Sequence, residues 1–522
     1  MTGARTLPEL DGLVVLVAGA GTACSSTAVF LAQRGARVRV CDDRPGAGAV
    51  VRAAGIEVIG VAAAIESIAG TELLIVSPGF RPDSAVVAAA RAAGTAVWGD
   101  VEFAWHVDRC GLLGPPRTWL VITGTNGKTT TTSMVEAILD ASPRTGAACG
   151  NIGLPVLDAL CREPRVEVLA VELSSFQLFW APSVTPDAGV VLNIAEDHLE
   201  WHGSMAAYIE AKSGALRGPI GVIGADDPIA AGLSAGPQAR TVRARLAEPG
   251  PGEIGTSDGM IVDRAFGSAP RSIVAIDMIV PPGPAGRADA IAAAALTLAI
   301  GIPAESVAAG LVAFVPGRHR GEVVAHRDGV LFVDDSKATN PHAAAVSIRA
   351  YRHIVWVGGG QLKGASVDDL FEEVADRLVA AVVIGVDRDV IAAALARHAP
   401  TIPIVTVFTG DDGAVNTAIG PSGPSDLTVP PVIGSDGGDP AAAVMATAVA
   451  TAWQLAARAS GAGATVEAVL LAPAAASLDM FDGYGARGDE FARGAVAIGA
   501  VSARAADRHV GENGTAPGND PR

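Results

Sequence analysis

Short runs of valine, isoleucine and leucine recur along the chain, each followed by a polar or glycine-bearing turn and then an alanine-rich stretch of helical length. The runs at 13–18, 36–41, 73–77, 119–123 and 166–172 predict strands, and those at 188–193, 329–334, 353–358, 380–385 and 468–472 continue the series. Strands that are apolar throughout, rather than alternating, are buried on both faces, and strands separated by helices form parallel sheets covered on each side. The predicted class is therefore α/β. In such sheets ligands sit beyond the carboxyl ends of the strands, and the polar motifs of this chain follow its strands at those ends.

A chain of 522 residues is too long for one hydrophobic core. Loops at 108–118 and 314–320 look like boundaries, which gives three expected domains at 1–115, 116–316 and 317–503. The segment 246–287, rich in glycine and proline, reads as an edge or insertion, and the polar tail 504–522 as disordered. The apolar run 441–457 is mostly alanine with two threonines and a glutamine, which suits a buried helix better than a membrane span. The N-terminus lacks the apolar core of a signal peptide, so no membrane insertion is expected. A net charge of −17 argues against a nucleic-acid partner. Five scattered cysteines without a CxxC pair fit a reducing cytoplasm and read as buried small hydrophobes.

Lysine usage changes the picture. The chain has four lysines, Lys128, Lys212, Lys337 and Lys363, and every other basic side chain is arginine. Lys128 lies in GTNGKTTTT (124–132), between a predicted strand and a helical pattern. Gly124 and Gly127 let backbone amides turn inward around a phosphate, with the helix N-terminus adding its positive end. Lys128 would reach the terminal phosphates and the Thr129 hydroxyl a Mg²⁺ ion. The loop is shorter than GxxxxGK[ST], since Ile122 stands where the first glycine would be. AVELSSFQL (170–178) sets Glu172 at a strand end, followed by Ser174, Ser175 and Gln177; NIAEDHLEWHGS (193–204) does the same with Asn193, Asp197 and His198. A carboxylate and an imidazole beside a phosphate loop are natural ligands for a hard cation, or positioning groups. At the other end, VAGAGTACSS (17–26) is a partial GxGxxG with Cys24 in place of the third glycine, and Asp42 closes the second strand. An acidic strand end of this kind accepts hydrogen bonds from a ribose whatever the base.

Together GTNGKTT, GNIGLP (150–155), ELSSFQL, EDH, YIEAK (208–212), GRHR (317–320), DDSKATNP (334–341) and PAAASLDMF (473–481) resemble the Mur ligase family, and in particular its D-glutamate-adding branch. The resemblance implies a Rossmann-like N-terminal domain for UDP, a central P-loop ATPase with a mostly parallel sheet, and a Rossmann-like C-terminal domain for the amino acid. It implies a cytoplasmic, ATP-dependent ligase, expected to be a monomer, that joins D-glutamate to UDP-N-acetylmuramoyl-L-alanine through an acyl phosphate during peptidoglycan precursor synthesis. By the same resemblance ATP contacts Gly124, Thr125, Asn126, Gly127, Lys128, Thr129, Thr130 and Thr131, with Asp289, Arg320 and Asp335. Two Mg²⁺ ions fall to Thr129, Glu172, His198 and Lys212, the last as a carbamate formed with CO₂. Thr22, Ala23, Asp42, Asp43, Arg44, Gly79, Asn151, Ser174 and Gln177 would hold the UDP substrate, and Lys337, Thr339, Lys363, Ser477 and Tyr484 the D-glutamate. Asp289 replaces a family asparagine, and an ionised carboxylate cannot donate as an amide does. Competing readings are another ATP-dependent amide ligase, such as a different Mur ligase or a folylpolyglutamate synthase, an NAD-dependent dehydrogenase, and a non-catalytic nucleotide-binding scaffold.

Overall fold

A computed structural model describes residues 7, 9–410, 413–424, 427 and 439–503. The tail expected at 504–522 lies outside the described residues. Two compact units divide the chain, Met1–Val315 and Pro316–Arg522.

The first unit holds two sheets. Five parallel strands, β1 (Val14–Ala18), β2 (Arg37–Cys41), β3 (Glu57–Ile59), β4 (Leu73–Val76) and β5 (Ala96–Gly99), run in the order β3-β2-β1-β4-β5. Strand order reverses at β1, so a crevice opens beyond the carboxyl ends of β1 and β4. The second sheet comprises β6 (Thr118–Thr123), β7 (Gly146–Gly150), β8 (Val168–Glu172), β9 (Ala188–Val191), β10 (Ile220–Gly224), β11 (Arg240–Ala244), β12 (Glu253–Ser257), β13 (Met260–Asp263) and β14 (Arg271–Ala275), in the order β14-β13-β12-β11-β10-β9-β6-β8-β7. It is parallel except at β12-β13-β14, the antiparallel edge that the glycine- and proline-rich segment builds. Here the reversal falls at β6, the strand that feeds the lysine loop.

Small side chains set how closely the helices pack around β6. Helix Pro284–Ala299 carries ten consecutive buried residues, Asp289 to Leu298, five of them alanine, and packs on helix Lys128–Asp140. Helix Ala304–Ala313 approaches the same helix at a glycine: a Cβ on Gly310 would overlap the backbone of Ile138. Buried Ile138, Leu139, Met134 and Val135 are the apolar face that anchors the loop-bearing helix, each worth about 1.5–3 kcal/mol of burial. The two sheets are tied at the loop after β4, where Trp180 donates Nε1–H to the Phe80 carbonyl (3.0 Å) and Trp201 donates to that of Gly79 (3.3 Å).

The second unit contains β15 (Glu322–Arg327), β16 (Val330–Asp334), β17 (Ile354–Gly359), β18 (Leu378–Ile384), β19 (Ile404–Thr409), β20 (Val415–Ile419), β21 (Ala468–Leu471) and β22 (Val501–Ser502), in the order β20-β19-β18-β17-β21-β16-β15-β22. Its centre, β16 to β19 with β21, is parallel. The alanine-rich run at 441–457 lies inside helix Pro440–Gly461, which packs on β17, β18 and β19. It is the single helix among the described residues long and apolar enough to cross a membrane, and 61% of its most apolar window is buried within the fold.

Each run read as a strand is one. The cysteines need correction: Cys24, Cys41 and Cys149 are buried, but Cys110 and Cys161 are exposed. Both exposed residues are C-caps, where a helix turns outward from the core.

Candidate functional site

The loop between β6 and helix Lys128–Asp140 is clamped from below. Thr125 N–H donates to the Asn193 carbonyl (3.0 Å) and Asn126 N–H to Asn193 Oδ1 (2.8 Å), while Asn193 Nδ2 donates back to the Asn126 carbonyl (3.2 Å). The Thr125 hydroxyl meets Tyr208 Oη (3.0 Å) and accepts from Ala195 N–H (2.9 Å). Gly127 is the N-cap, at φ 80°, and no side chain caps the 13-residue helix that follows. A side chain at that φ would be strained, and a helix N-terminus that no side chain caps suits an anion.

Two of the lysines meet here. Lys128 Nζ donates to the carbonyls of Gly124 (2.9 Å) and Thr125 (2.9 Å), and Lys212 Nζ donates to the same Gly124 carbonyl (2.6 Å). Lys212, on helix Met205–Ser213, is 2% exposed, with Nζ 4.8 Å from the centre of the Tyr208 ring. Burial first, and then the Lys128 charge, hold its amine well below the ordinary lysine pKa. Both effects favour the uncharged form of the amine.

Beside this pair, Glu172 at the end of β8 is 1% exposed. Its Oε1 accepts from Asn151 Nδ2 (3.0 Å), and its Oε2 is buried with no hydrogen-bond partner among the described residues. An anionic oxygen out of water and unpaired is costly, and a hard divalent cation is the partner that suits it. His198 adopts a left-handed backbone (φ 55°) that turns the chain into helix Leu199–His202. A cavity of about 230 Å³ gathers Lys128, Asn151, Ser174, Gln177, Asp197, His198, Tyr208 and Lys212, with Pro78 from the loop after β4.

Several expected residues have a structural task as well. Ser174 and Gln177 cap helix Ser175–Phe179 reciprocally: Gln177 N–H donates to Ser174 Oγ and Ser174 N–H to Gln177 Oε1. Asp289 accepts from the Thr131 hydroxyl (3.2 Å), and a Cβ on Gly127 would overlap its carboxylate, so it packs directly against the loop. Thr130 and Thr131 are buried in the first turn of the helix. Thr22 and Ala23 are the first two residues of helix Thr22–Ala32, whose Gly21 N-cap brings no side chain. Cys24 is buried in that helix, on the sheet side where a larger residue than glycine is accommodated. Asp42 Oδ2 accepts from Ala20 N–H (2.8 Å), joining the loops after β1 and β2. The Arg44 side chain clasps the same carboxyl (Nε 3.0 Å, Nη2 2.7 Å) and holds it well below the usual carboxylate range. Asp43 accepts from Val61 N–H (2.9 Å), and Gly79 follows β4. These residues share the crevice end of the first sheet, whereas Asn151, Ser174 and Gln177 line the lysine cavity.

In the second unit, the loops after β16, β21 and β17 lie side by side because those strands are neighbours. Lys337 sits with Nζ 4.0 Å from the centre of the Tyr484 ring, and Lys363 is exposed at φ 55°. Ser477 is buried, and Thr339 N–H donates to the Lys337 carbonyl (2.8 Å). Withdrawal from solvent pushes the Asp335 carboxyl up to about 6, against the opposing pull of Ser347 and of the Arg320 charge. The four lysines thus fall two to each unit.

Three family models match in chain order: a MurD-like N-terminal domain at 14–99, a Mur ligase middle domain at 122–247, and a Mur ligase glutamate ligase domain at 319–429. A UDP-N-acetylmuramoylalanine–D-glutamate ligase of Rhodococcus jostii is 53% identical over 93% of this chain and 95% of its own length. The chain belongs to the Mur ligase family. A ligase of the same name from Nocardia farcinica is 54% identical over 93% of the chain and 97% of its own length. Among solved structures, the UDP-N-acetylmuramate–alanine ligase MurC of Thermotoga maritima shares the fold at 16% identity and a TM-score of 0.53, over 93% of this chain and 99% of its own.

Three groups in this Mur ligase escape the sequence reading. Tyr208 lies inside YIEAK but carries no chemistry by itself; only the fold sets its ring beside Lys212 and its hydroxyl on Thr125. His202 packs on Tyr208 and meets Ser175 Oγ (2.9 Å), and burial, with His198 and Lys212 nearby, lowers its pKa to about 4. Arg487 is one arginine among many in the sequence, yet it is 1% exposed.

Proposed function

We propose that this protein is an ATP-dependent amide ligase that joins D-glutamate to UDP-N-acetylmuramoyl-L-alanine, in the cytoplasmic synthesis of peptidoglycan precursors. The observation that carries the reading is the convergence of Lys128 and Lys212 on one phosphate-loop carbonyl, beside a buried carboxylate oxygen that lacks a partner. The names of the D-glutamate ligases to which half of this sequence is identical support the choice of substrates. The proposed functional domains are 1–115 for the UDP substrate, 116–316 for ATP and 317–503 for the amino acid.

The amides of Gly124 to Thr131 and the Lys128 ammonium cradle the triphosphate, and Lys128 leaves its loop carbonyls to neutralise charge on the γ-phosphoryl group. An L-alanyl carboxylate oxygen bonds to the γ-phosphorus as the bond to ADP breaks. The amine of D-glutamate then attacks the acyl carbon, the C–O bond to phosphate breaks, and the amine gives up a proton. Asp289 acts as an acceptor that fixes Thr131, in keeping with a carboxylate that cannot donate. Arg320 and Asp335 contact the nucleotide. Thr22, Ala23, Asp42, Asp43, Arg44 and Gly79 hold the UDP end of the substrate, and Asn151, Ser174 and Gln177 its reactive end. D-Glutamate is held by Lys337, Thr339, Lys363, Ser477 and Tyr484.

Thr129, Glu172, His198 and Lys212 are the residues that would hold two Mg²⁺ ions, whose chemistry is to offset charge on the phosphoryl oxygens and the carboxylate. For Lys212 this requires the carbamate: its neutral nitrogen bonds to the carbon of CO₂ and releases one proton, which turns an amine into a carboxylate-like ligand. Arginine could not do this.

The test is phosphate release from ATP with UDP-N-acetylmuramoyl-L-alanine present and D-glutamate, L-alanine or meso-diaminopimelate supplied in turn. Release that depends on D-glutamate is expected; dependence on either of the others would refute the substrate assignment.

A further inference from the structure

Beneath the three loops of the second unit lies one buried guanidinium. Arg487, in the first turn of helix Tyr484–Ala497, donates Nε–H to Ser336 Oγ (2.9 Å) and Nη2–H to the Ser336 carbonyl (2.9 Å). Its Nη1 donates to the carbonyls of Ala475 (3.0 Å) and Gly359 (3.3 Å). One planar fork therefore reaches the ends of β16, β21 and β17 at once. Its acceptors flank the residues assigned to the amino acid. Ser336 adjoins Lys337, Ala475 stands two residues before Ser477, Gly359 opens the loop to Lys363, and Tyr484 is one helical turn away on the same helix.

The loops are bonded to one another as well. Ala474 N–H donates to the Ala338 carbonyl (2.9 Å), and Gln361 and Ala476 exchange two backbone hydrogen bonds (2.9 and 3.0 Å). From the other side Asp334 accepts from Ser336 N–H (2.9 Å) and pairs with His319 Nδ1 (2.6 Å). A Cβ on Gly488 would overlap both His319 and Asp334, so the helix bearing Arg487 can approach only because the next residue is glycine.

We propose that Arg487 is the positioning residue of the amino-acid site, its four donated hydrogen bonds fixing the separation of three loops so that Lys337, Lys363, Ser477 and Tyr484 face one ligand. The inference rests on the D-glutamate reading above. A lysine ammonium is a single point donor and cannot replace a fork that spans three loops. A helix-docking role alone would lower stability and affect every substrate alike, whereas a positioning role acts on the amino acid.

The experiment measures KM for D-glutamate, ATP and UDP-N-acetylmuramoyl-L-alanine, with melting temperatures, in full-length wild type, Arg487→Lys and Ser336→Ala. Hydrogen bonds from a charged donor are worth about 1.5–3 kcal/mol, so Arg487→Lys should raise the KM for D-glutamate roughly 10–100-fold. The other two KM values should stay within about 3-fold. Ser336→Ala removes one acceptor and leaves the guanidinium, and should raise the same KM by roughly 3–10-fold; it decides the matter if Arg487→Lys does not fold. An unchanged KM for D-glutamate in Ser336→Ala, or all three values rising together, would overturn the proposal. Wild type that answers to a different amino acid would instead overturn the substrate reading, and the KM for that amino acid would then decide the role of Arg487.

Discussion

The phosphate-loop site and the loops proposed for the amino acid solve one problem in two ways. In the first unit the lysine side chains are themselves held: Lys128 and Lys212 are bonded to loop carbonyls, and Lys212 is sealed from water. In the second, the backbone is held, through Arg487 and the loop-to-loop bonds, while Lys363 stays exposed and Lys337 rests half-buried on a ring. A triphosphate presents the same charge in every turnover, so fixing the Lys128 ammonium in advance lowers the reorganisation needed. An amino acid must be selected by shape and by several polar ends, for which loop separation matters most. On the proposed roles, burial of lysine serves chemistry in one unit and burial of arginine serves geometry in the other.

The comparison is broken most severely at Lys128. Lys128→Arg should reduce kcat by roughly 10²–10³-fold with the melting temperature unchanged, because a guanidinium cannot occupy the compact place of an ammonium between two loop carbonyls. A near-normal rate would show that the phosphate contact is made otherwise.

Next comes Lys212. Lys212→Ala should lose roughly 10²-fold in kcat and recover in part when small carboxylates such as formate or acetate are added; failure of every such acid would count against the carbamate. Its stability effect has the opposite sign. The folded protein holds this amine below its ordinary pKa, so it binds fewer protons than the unfolded chain and stability from this group is lost as pH falls below about 10.5. In CO₂-free buffer, Lys212→Met should therefore melt higher than wild type near pH 7, with the gap closing toward pH 10. A lower melting temperature at pH 7 would contradict the burial argument.

The smallest expected effect is at Asp335, whose folded carboxyl is raised from 3.8 to about 6. Here the folded state binds the proton more tightly, so the contribution is present below pH 3.8 and lost as pH rises through 6. Asp335→Asn should raise the melting temperature at pH 7 by a few degrees and flatten its dependence between pH 4 and 6. An unchanged profile would show that the carboxyl is well solvated.

Much of this was legible in the sequence. Parallel-sheet strands announce themselves as unbroken apolar runs, and the phosphate loop, Glu172, His198 and Lys212 follow strands or occupy helices as their motifs imply. Weaker strands such as β3, β7 and β20 are short, or rich in glycine and polar residues, so that only their neighbours reveal them. Ser174 and Gln177 read as substrate contacts, while the fold also makes them a helix cap. Arg487 could not be singled out, because its acceptors are backbone carbonyls from residues 128 and 12 positions away and a serine 151 positions away. No local pattern encodes such a contact.

In the proposed reaction the phosphate-loop site transfers the γ-phosphoryl group to a carboxylate. The most direct measurement uses UDP-N-acetylmuramoyl-L-alanine labelled with ¹⁸O in its alanyl carboxylate, turned over with ATP and D-glutamate. An acyl phosphate delivers one labelled oxygen to each phosphate released. Phosphate free of label, with amide still formed, would contradict the account.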